Sequence, residues 1–303
     1  MKLSELAKIV AGKVVGDDRA EIKSVSQIDE AKSGDLVFVL DDRFLASALS
    51  SPATAIVASS NNPVKGKPAI LVKDPRMAMA KLLPLFAPKL APFKGIHKTA
   101  IVPKSCRLGK DVAVGAYVVL GENVEIGDNS TIYPHVWIGD NSIIGKSVLL
   151  HSGCRIGVDG FGFVQEGGKH RKIPQIGNVI IGDDVELFAN VCVSRATLGS
   201  TVIGSGTKVD NLTHIAHNCR IGKDCAIVSL VGFAGSVTLE DRVSVAGQAG
   251  FKGHITIGEN SVVMARAGVT KDVPQNSVVS GFPAQDHRKE IAYQVALRRL
   301  AKK

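Results

Sequence analysis

Two histidines three residues apart are the residues of this 303-residue sequence whose type and spacing best suit chemistry: His214 and His217, in the run NLTHIAHNCRIG. A neutral imidazole can accept a proton from an attacking group near neutral pH, and imidazole is also a common metal ligand. The pair therefore suits a general base or part of a metal site. On a strand, side chains three apart point to opposite faces, which weighs against one shared metal ion, and we expect none.

Glycines recur at intervals of eighteen residues after both histidines. They are Gly232, Gly250 and Gly268 for His214, and Gly235 and Gly253 for His217. If residues eighteen apart stack, side chains are missing over several levels, which leaves a trough about 14 Å long at ordinary strand spacing. A straight apolar chain would fit this trough with its reactive end at the imidazoles. Asn218 begins the adjacent column, and His254 lies two levels further along it.

The eighteen-residue period follows from a repeat of six that runs from Val102 to Val269. An aliphatic residue or Phe occupies every sixth position for most of this length, and Gly often follows it. A helix with 3.6 residues per turn would carry these positions off any one face, whereas short strands joined by tight turns suit them. Three hexads make one triangular coil, so the sequence predicts a parallel β-helix.

The repeat has two interruptions. A long excursion covers residues 157–178 and is rich in Gly and charge, and a shorter slip adds four extra residues within the range 196–200. A solenoid tolerates insertions at its corners, and such loops often carry function.

Three segments are predicted along the chain. Residues 1–96 lack hexads and alternate helical with β-rich patterns, including a helix at 75–86, so we expect a small α/β domain there. Residues 97–280 form the β-helix domain. Residues 281–303 end the chain with a helix that is apolar on one side and basic elsewhere, which would cap the open strand edges or dock on a partner. A Pro-containing linker is expected at 87–98.

The overall composition limits the location and the partners. The formal charge of +9 favours an acidic partner, but the late basic residues lack the interleaved aromatics typical of nucleic-acid binding, and we expect no nucleic acid. Five scattered cysteines, an odd number, indicate a reduced chain in the cytoplasm. The first residues do not form a secretory signal, and no stretch approaches a membrane span.

Several motifs together resemble one known family. HSGCRIGVDGFGFV, KIPQIGNVIIGDDVE, KVDNLTHIAHNCRIG, AGFKGHITIG and SGFPAQDHRKE resemble the UDP-3-O-acylglucosamine N-acyltransferases of lipid A biosynthesis. SGDLVFVLDDRF and ATAIVAS resemble the uridine-binding domain of the same family, so the likeness spans nearly the whole chain. The resemblance implies a left-handed parallel β-helix and a homotrimer with sites between subunits.

The resemblance also implies a reaction. An acyl carrier protein thioester would donate an (R)-3-hydroxyacyl group to the 2-amino group of a UDP-3-O-acylglucosamine, with no other cofactor. His217 would be the general base, and His254 would lie near the thioester oxygen, where donors stabilise the developing negative charge. The substrate would also contact His214, Asn218 and the glycine columns named above.

Phe38 and Phe44 match the two aromatic residues that sandwich uracil in the family, and Asp41 stands where the family often has Asn. Phe38 lies within the apolar run LVFVL, so core packing is an alternative for it.

The sequence departs from the family pattern at one place near the predicted site. Where the family commonly reads NTTIDRG, this chain has NVCVSRA, so Ser194 replaces an acidic residue. A paralogue with a different acceptor therefore remains an alternative. Because position 268 is Gly, we expect that residue to set no tight upper limit on acyl length.

Two other functions remain open at this point. One is a nucleotide-sugar acetyltransferase that uses acetyl-CoA, and the other is a non-catalytic trimeric scaffold that binds nucleotide-sugar or lipid. A peripheral contact with the membrane is a further expectation.

Overall fold

The structure is a computed structural model that describes residues 1–61, 64–87 and 94–301. The chain divides into two compact units, residues 1–91 and 92–303. Residues 88–93 of the predicted linker lie outside the described residues, and the boundary predicted at 96/97 stays a prediction.

The N-terminal unit is a five-stranded sheet with helices on both faces. Its elements are α1 (Leu3–Ile9), β1 (Lys13–Val15), β2 (Ser24–Val25), β3 (Asp35–Phe38), the 3-10 helix Asp42–Phe44, α2 (Leu45–Ser50), β4 (Ala55–Ser59), β5 (Ala69–Val72) and α3 (Pro75–Phe86). The strand order is β1-β5-β4-β3-β2, with β1 antiparallel to β5 and the other pairs parallel.

The two faces of this sheet bury separate apolar clusters. On one face Leu6 and Leu82 bring α1 and α3 against Ile70, and on the other Ala48 brings α2 against Ile56. The predicted helix at 75–86 is confirmed as α3. It begins where Asp74 accepts hydrogen bonds from the N–H groups of Arg76 and Met77, because a helix N-terminus leaves such donors without internal partners.

The second unit is a left-handed parallel β-helix, as expected. Its interior is one continuous apolar cluster of mostly aliphatic side chains from all three faces, with a stacked pair, Phe233 and Phe251, whose ring centroids lie 4.6 Å apart. The residue before each inward side chain points outward, since strand neighbours alternate between faces. The residues before these two rings, which face outward, are Gly232 and Gly250. At these two levels a large ring therefore fills the interior while the outer surface has no side chain.

Three parallel sheets form the three faces of the β-helix. The first sheet contains Ala113–Val114, Thr131–Ile132, Leu149–Leu150, Glu186–Leu187, Lys208–Val209, Ala226–Ile227, Ser244–Val245, Val262–Val263 and Val278–Ser280, followed by the antiparallel Gln285–Asp286. The second contains Arg107–Leu108, Glu125–Ile126, Ile143–Ile144, Asn178–Ile181, Ser200–Ile203, Arg220–Ile221, Thr238–Leu239 and Thr256–Ile257.

The third sheet, called here the glycine face, carries the candidate chemistry. It contains Val119–Leu120, Trp137–Ile138, Arg155–Val158, Cys192–Ser194, His214–Ile215, Gly232–Phe233, Gly250–Phe251 and Gly268–Val269. Gly268–Val269 is the last strand of this face, so the predicted glycine column reaches the end of the sheet.

Both interruptions of the repeat leave the stacking intact. Ile144 pairs with Ile181 across the long excursion, and Val193 pairs with Ile215 across the short slip. The extra residues therefore leave the prism at its corners, and part of the excursion forms a hairpin of strands at 163–166 and 169–172.

The chain ends on the helix α4 (His287–Leu300), inside the predicted segment 281–303. Asp286 caps it by accepting a hydrogen bond from the N–H of Lys289 at 3.1 Å. Of the residues that the structure describes, none belongs to a helix that is both long and apolar enough to span a bilayer.

Candidate active site

His217 lies in the turn that follows the strand His214–Ile215, and its half-buried ring lies over a glycine. A Cβ atom on Gly235 would lie 2.6 Å from Cε1 and 2.7 Å from Nε2 of His217. A Cβ on Gly160, in the long excursion, would lie 2.8 Å from the Cβ of His217. The imidazole therefore has its present position only because both neighbours lack side chains.

Asn218 orients the imidazole and fixes its tautomer. Its Nδ2 donates to the carbonyl oxygen of Leu198 at 2.9 Å, and its Oδ1 accepts from the N–H of Thr197 at 3.0 Å, which sets the orientation of the amide. The same Oδ1 lies 3.2 Å from Nδ1 of His217. Because an amide oxygen only accepts hydrogen bonds, the network assigns the proton to Nδ1 and leaves the lone pair on Nε2.

The network continues into the long excursion. Thr197 Oγ1 donates to Gln175 Oε1 at 2.8 Å, and Gln175 Nε2 donates to the carbonyl oxygen of Ile173 at 3.0 Å. Gln175 is buried, so these bonds satisfy polar groups that would otherwise be costly. Both interruptions of the repeat thus end beside His217.

Sequence reasoning recognised the two interruptions but did not connect them to the histidine. Gly160, Gln175 and Thr197 were missed, and the signal that could have found them is the break in the six-residue period itself. Insertions emerge at the corners of a solenoid, and loops at such places often carry binding or catalytic residues.

His254 belongs to the same corner column as Asn218 and Ser236. All three have φ close to +60°, and the N–H of His254 donates to the carbonyl oxygen of Gly235 at 3.2 Å. The side chain is exposed, two levels or about 10 Å from Asn218 at ordinary strand spacing. Its predicted catalytic role stays a prediction.

The predicted glycine column is present in the structure. His214, Gly232, Gly250 and Gly268 are successive partners in the parallel register. A Cβ on Gly232 or on Gly250 would meet no atom within 4 Å, so the floor of the trough is open at these two levels. His214 is exposed in the protein described, but neighbouring atoms partly desolvate its imidazole and lower its pKa, which favours the neutral form.

The end of this column differs from the sequence-based expectation. Gly268 contributes no side chain, but the ring of Phe282, from SGFPAQ, lies over it: a Cβ on Gly268 would overlap Cδ2 of that ring. The floor at Gly268 is therefore closed, because a residue distant in sequence supplies the side chain that position 268 lacks.

Ser194 ends the strand Cys192–Ser194 and is buried, with 2% of its surface exposed. It pairs with Val158, at the start of the long excursion. The Ser194 side chain is therefore shielded from solvent.

A second cavity, of about 500 Å³, lies within the N-terminal unit and is lined by both predicted uracil-binding aromatics. Phe44 is about half exposed, whereas Phe38 is 9% exposed and belongs to the apolar core below the cavity. Phe38 therefore packs in the apolar core and also lines one side of the cavity.

Asp41 has a local role in the structure. It caps the 3-10 helix Asp42–Phe44, and its carboxylate binds the guanidinium of Arg43. These hydrogen bonds lower the pKa of Asp41 to about 2. Its contact with uracil stays a prediction.

Within residues 1–61, 64–87 and 94–301, no three His, Cys, Asp or Glu side chains are grouped as a metal ion would require.

Comparison with known proteins places the chain among acyltransferases. The family described as UDP-3-O-(3-hydroxymyristoyl) glucosamine N-acyltransferase, LpxD, matches residues 19–85, and the family described as bacterial transferase hexapeptide (six repeats) matches residues 105–138. UDP-3-O-acylglucosamine N-acyltransferase 1 of Gloeobacter violaceus is 45% identical over 98% of this chain and 91% of its own. The corresponding protein of Methylacidiphilum infernorum is 42% identical over 96% and 90%.

A solved structure supports the same class. UDP-N-acetylglucosamine O-acyltransferase from Moraxella catarrhalis aligns with a TM-score of 0.58 at 28% identity, over 63% of this chain and 73% of that chain. Fold and relatives together define an acyltransferase of the hexapeptide-repeat class. Within that class, the chain belongs to the UDP-3-O-acylglucosamine N-acyltransferase family.

Proposed function

We propose that this protein transfers an (R)-3-hydroxyacyl group from an acyl carrier protein thioester to the 2-amino group of UDP-3-O-acylglucosamine, a step of lipid A biosynthesis. Membership of the family supports the acceptor and the reaction class. The observation that carries the proposal is the position of His217, whose unprotonated Nε2 lies beside a side-chain-free trough.

The chemistry follows from the free lone pair on Nε2. The acceptor nitrogen attacks the thioester carbonyl carbon, and Nε2 of His217 takes the proton that the nitrogen loses as the C–N bond forms. The tetrahedral intermediate then collapses, the C–S bond breaks, and the imidazolium returns its proton to the leaving sulfur. The amide and a free carrier thiol result, so no cofactor is consumed.

His254 and His214 are proposed to support this step. A donor near the thioester oxygen would stabilise the charge that develops there, and His254 is the proposed donor. The neutral imidazole of His214 would contact the acyl group where it enters the trough.

The orienting role of Asn218 gives a prediction. Asn218→Gly keeps a residue suited to φ of +62° but removes the amide, so the imidazole loses its fixed tautomer. We expect kcat to fall by roughly 10–100-fold, by analogy with the residues that orient metal-bound histidines, with a changed pH profile. Ser236→Gly is the matched control, since Ser236 lies on the same corner with the same φ. An equal loss in both variants would contradict the proposed role.

Phe44 gives a second prediction, on the nucleotide end of the acceptor. Removing a stacking ring costs about 1–3 kcal/mol per base, so Phe44→Ala should raise KM for the UDP-sugar by about 5- to 150-fold with little change in kcat. Met77→Ala removes an exposed apolar side chain of the same unit outside the cavity and is the control. An unchanged KM in Phe44→Ala would count against uracil binding there.

A direct assay tests the proposed function. The purified protein is offered UDP-3-O-acylglucosamine with either acetyl-CoA or (R)-3-hydroxyacyl carrier protein, and the products are identified by mass spectrometry. An amide formed from the carrier thioester supports the proposal. An acetylated product would favour the acetyltransferase alternative, and binding without any product would favour the scaffold.

The proposal includes the partners of the protein. Basic residues of α4, among them Arg288, Lys289, Arg298 and Arg299, would steer an acidic carrier protein by charge complementarity. A homotrimer, a peripheral contact with the membrane and a cytoplasmic location are also proposed. The five cysteines are all free, which suits a reducing compartment.

A further inference from the structure

The long excursion and the short slip are joined to each other beside the candidate active site. The N–H of Ile176 donates to the carbonyl oxygen of Thr197 at 3.1 Å, and the N–H of Gly177 donates to the carbonyl oxygen of Ala196 at 2.9 Å. The two segments therefore hold each other at one corner of the prism. Because neither belongs to the six-residue repeat, the repeat itself does not require this contact.

One buried side chain, that of Gln175, also links the two segments. It is 5% exposed, and its Oε1 accepts from the hydroxyl of Thr197 at 2.8 Å. Its Nε2 donates to the carbonyl oxygen of Ile173 at 3.0 Å. Because the side chain is buried and both ends of its amide are bonded within the protein, Gln175 is not placed to contact a substrate.

Gln175 is connected to His217 by two routes. In the first, the N–H of Thr197 donates to Oδ1 of Asn218 at 3.0 Å, and the same oxygen lies 3.2 Å from Nδ1 of His217. The second route is packing, through Gly160. A Cβ on Gly160 would lie 2.7 Å from Oε1 of Gln175 and 2.8 Å from the Cβ of His217, so this glycine is enclosed between the two side chains.

We propose that Gln175 and Thr197 are positioning residues that keep the lone pair of His217 on Nε2. They act through the amide of Asn218, whose orientation depends on the N–H that the short slip supplies. The inference rests on the proposed function, because it takes His217 to be the base. It gives both interruptions of the repeat a role in catalysis: together they supply the hydrogen bonds that a regular coil does not offer at this corner.

Thr197→Val tests the bond between the two segments, because it removes the hydroxyl and keeps the shape of the side chain. The buried Oε1 of Gln175 then loses its donor, which favours a rearrangement of the short slip. We expect kcat to fall by about tenfold, by analogy with the residues that orient metal-bound histidines, and KM for donor and acceptor to change by less than about twofold. Thr197→Ser keeps the hydroxyl and should recover most of the turnover.

A double-mutant cycle with Asn218→Gly tests the route through the amide. Steady-state assays with (R)-3-hydroxyacyl carrier protein and UDP-3-O-acylglucosamine give kcat for each protein. In the Asn218→Gly background, Thr197→Val should lower kcat by less than about twofold, because the amide that it orients is already absent. Equal losses in both backgrounds would show that the two residues act independently and would overturn the proposal.

Gln175→Met removes both polar ends of the amide and keeps a side chain of similar length. It should lower kcat at least as much as Thr197→Val, because it breaks the same hydrogen bond and also disturbs the packing against Gly160.

Thr207→Val is the matched control. The hydroxyl of Thr207 is also buried and donates to a carbonyl oxygen, that of Gly222, at 2.8 Å. Thr207 precedes a strand of the first sheet, whereas His217 follows a strand of the glycine face, so the two lie at different corners. Thr207→Val should lower the melting temperature and keep kcat, and thermal melts of all variants separate loss of stability from loss of turnover.

The outcomes separate this inference from the proposed function. If wild type forms amide and His217→Ala does not, while Thr197→Val and Gln175→Met both keep the wild-type kcat, the positioning role is overturned and the proposed function stands. A loss in Thr197→Val that Thr197→Ser does not restore would also overturn it. If wild type forms no amide from any carrier thioester, the proposed function fails and the inference fails with it.

Discussion

Replacing His217 with Ala should lower kcat/KM for amide formation by about 10²–10⁴-fold, the usual contribution of a general base. The variant keeps the trough and the acceptor site but has no atom to take the proton from the attacking nitrogen. The loss should appear mainly in kcat, because the imidazole acts during the chemical step and contributes little to binding of the acceptor. Steady-state assays with a fixed acyl carrier protein donor measure it.

A histidine outside the site provides the control for this variant. His97 is exposed at the start of the β-helix, where its ring contacts Thr99, and His97→Ala should keep wild-type turnover. Retention of most activity in His217→Ala would remove the basis of the proposed mechanism. A protein whose wild type binds the UDP-sugar without forming product would instead be the scaffold considered above.

Gly235→Ala should reduce turnover by roughly 10²-fold although it adds only one methyl group. That methyl would lie 2.6 Å from Cε1 and 2.7 Å from Nε2 of His217, closer than side-chain atoms approach, so the imidazole has to move. Displacement of a catalytic group by about 1 Å costs on the order of 10²-fold. The backbone at Gly235 is not in the left-handed region, so the effect should come from the ring and leave folding intact.

Gly232→Ala is the matched variant for this prediction, because the same methyl group at that level would meet no atom within 4 Å. Gly232→Ala should change the preference for donor chain length. Its kcat should fall much less than that of Gly235→Ala. Comparison of kcat for the two variants, with thermal melts of both, distinguishes them. Equal kcat values would show that the position of the His217 ring does not limit the reaction.

The columns of residues on the prism were predictable from the sequence because they follow from a local rule. Inward and outward positions alternate along each short strand, and a constant coil length stacks residues eighteen apart, as the pairing of His214 with Gly232 shows. The hand of the β-helix did not follow from the period; it came from the likeness to a known family. The helix α3 was predictable for a similar local reason, since Pro75 at its first turn and the capping Asp74 mark where it begins.

The surroundings of the catalytic candidate were not predictable in this way. Asn218 is bonded to Thr197 and Leu198 in the short slip, and Thr197 is bonded to Gln175 in the long excursion. Neither the short slip nor the long excursion follows the six-residue repeat. The sequence spacing therefore does not show which of their residues lie next to His217. The direction in which an insertion folds over a corner depends on which of its polar groups find partners once the chain is closed.

The sequence by itself therefore determined the β-helix period, the glycine columns and the pair His214 and His217 as candidates for chemistry, because each depends on residues at fixed spacing. The choice of His217 as the base came from the likeness to a known family. Only the tertiary structure decided which tautomer His217 adopts and what stands at the far end of the trough. Phe282 covers Gly268 because hydrogen bonds to both sides of the terminal strand hold residues 281–284 beside it. Such a contact joins parts of the chain outside the repeat, and packing and hydrogen bonding in the folded chain establish it.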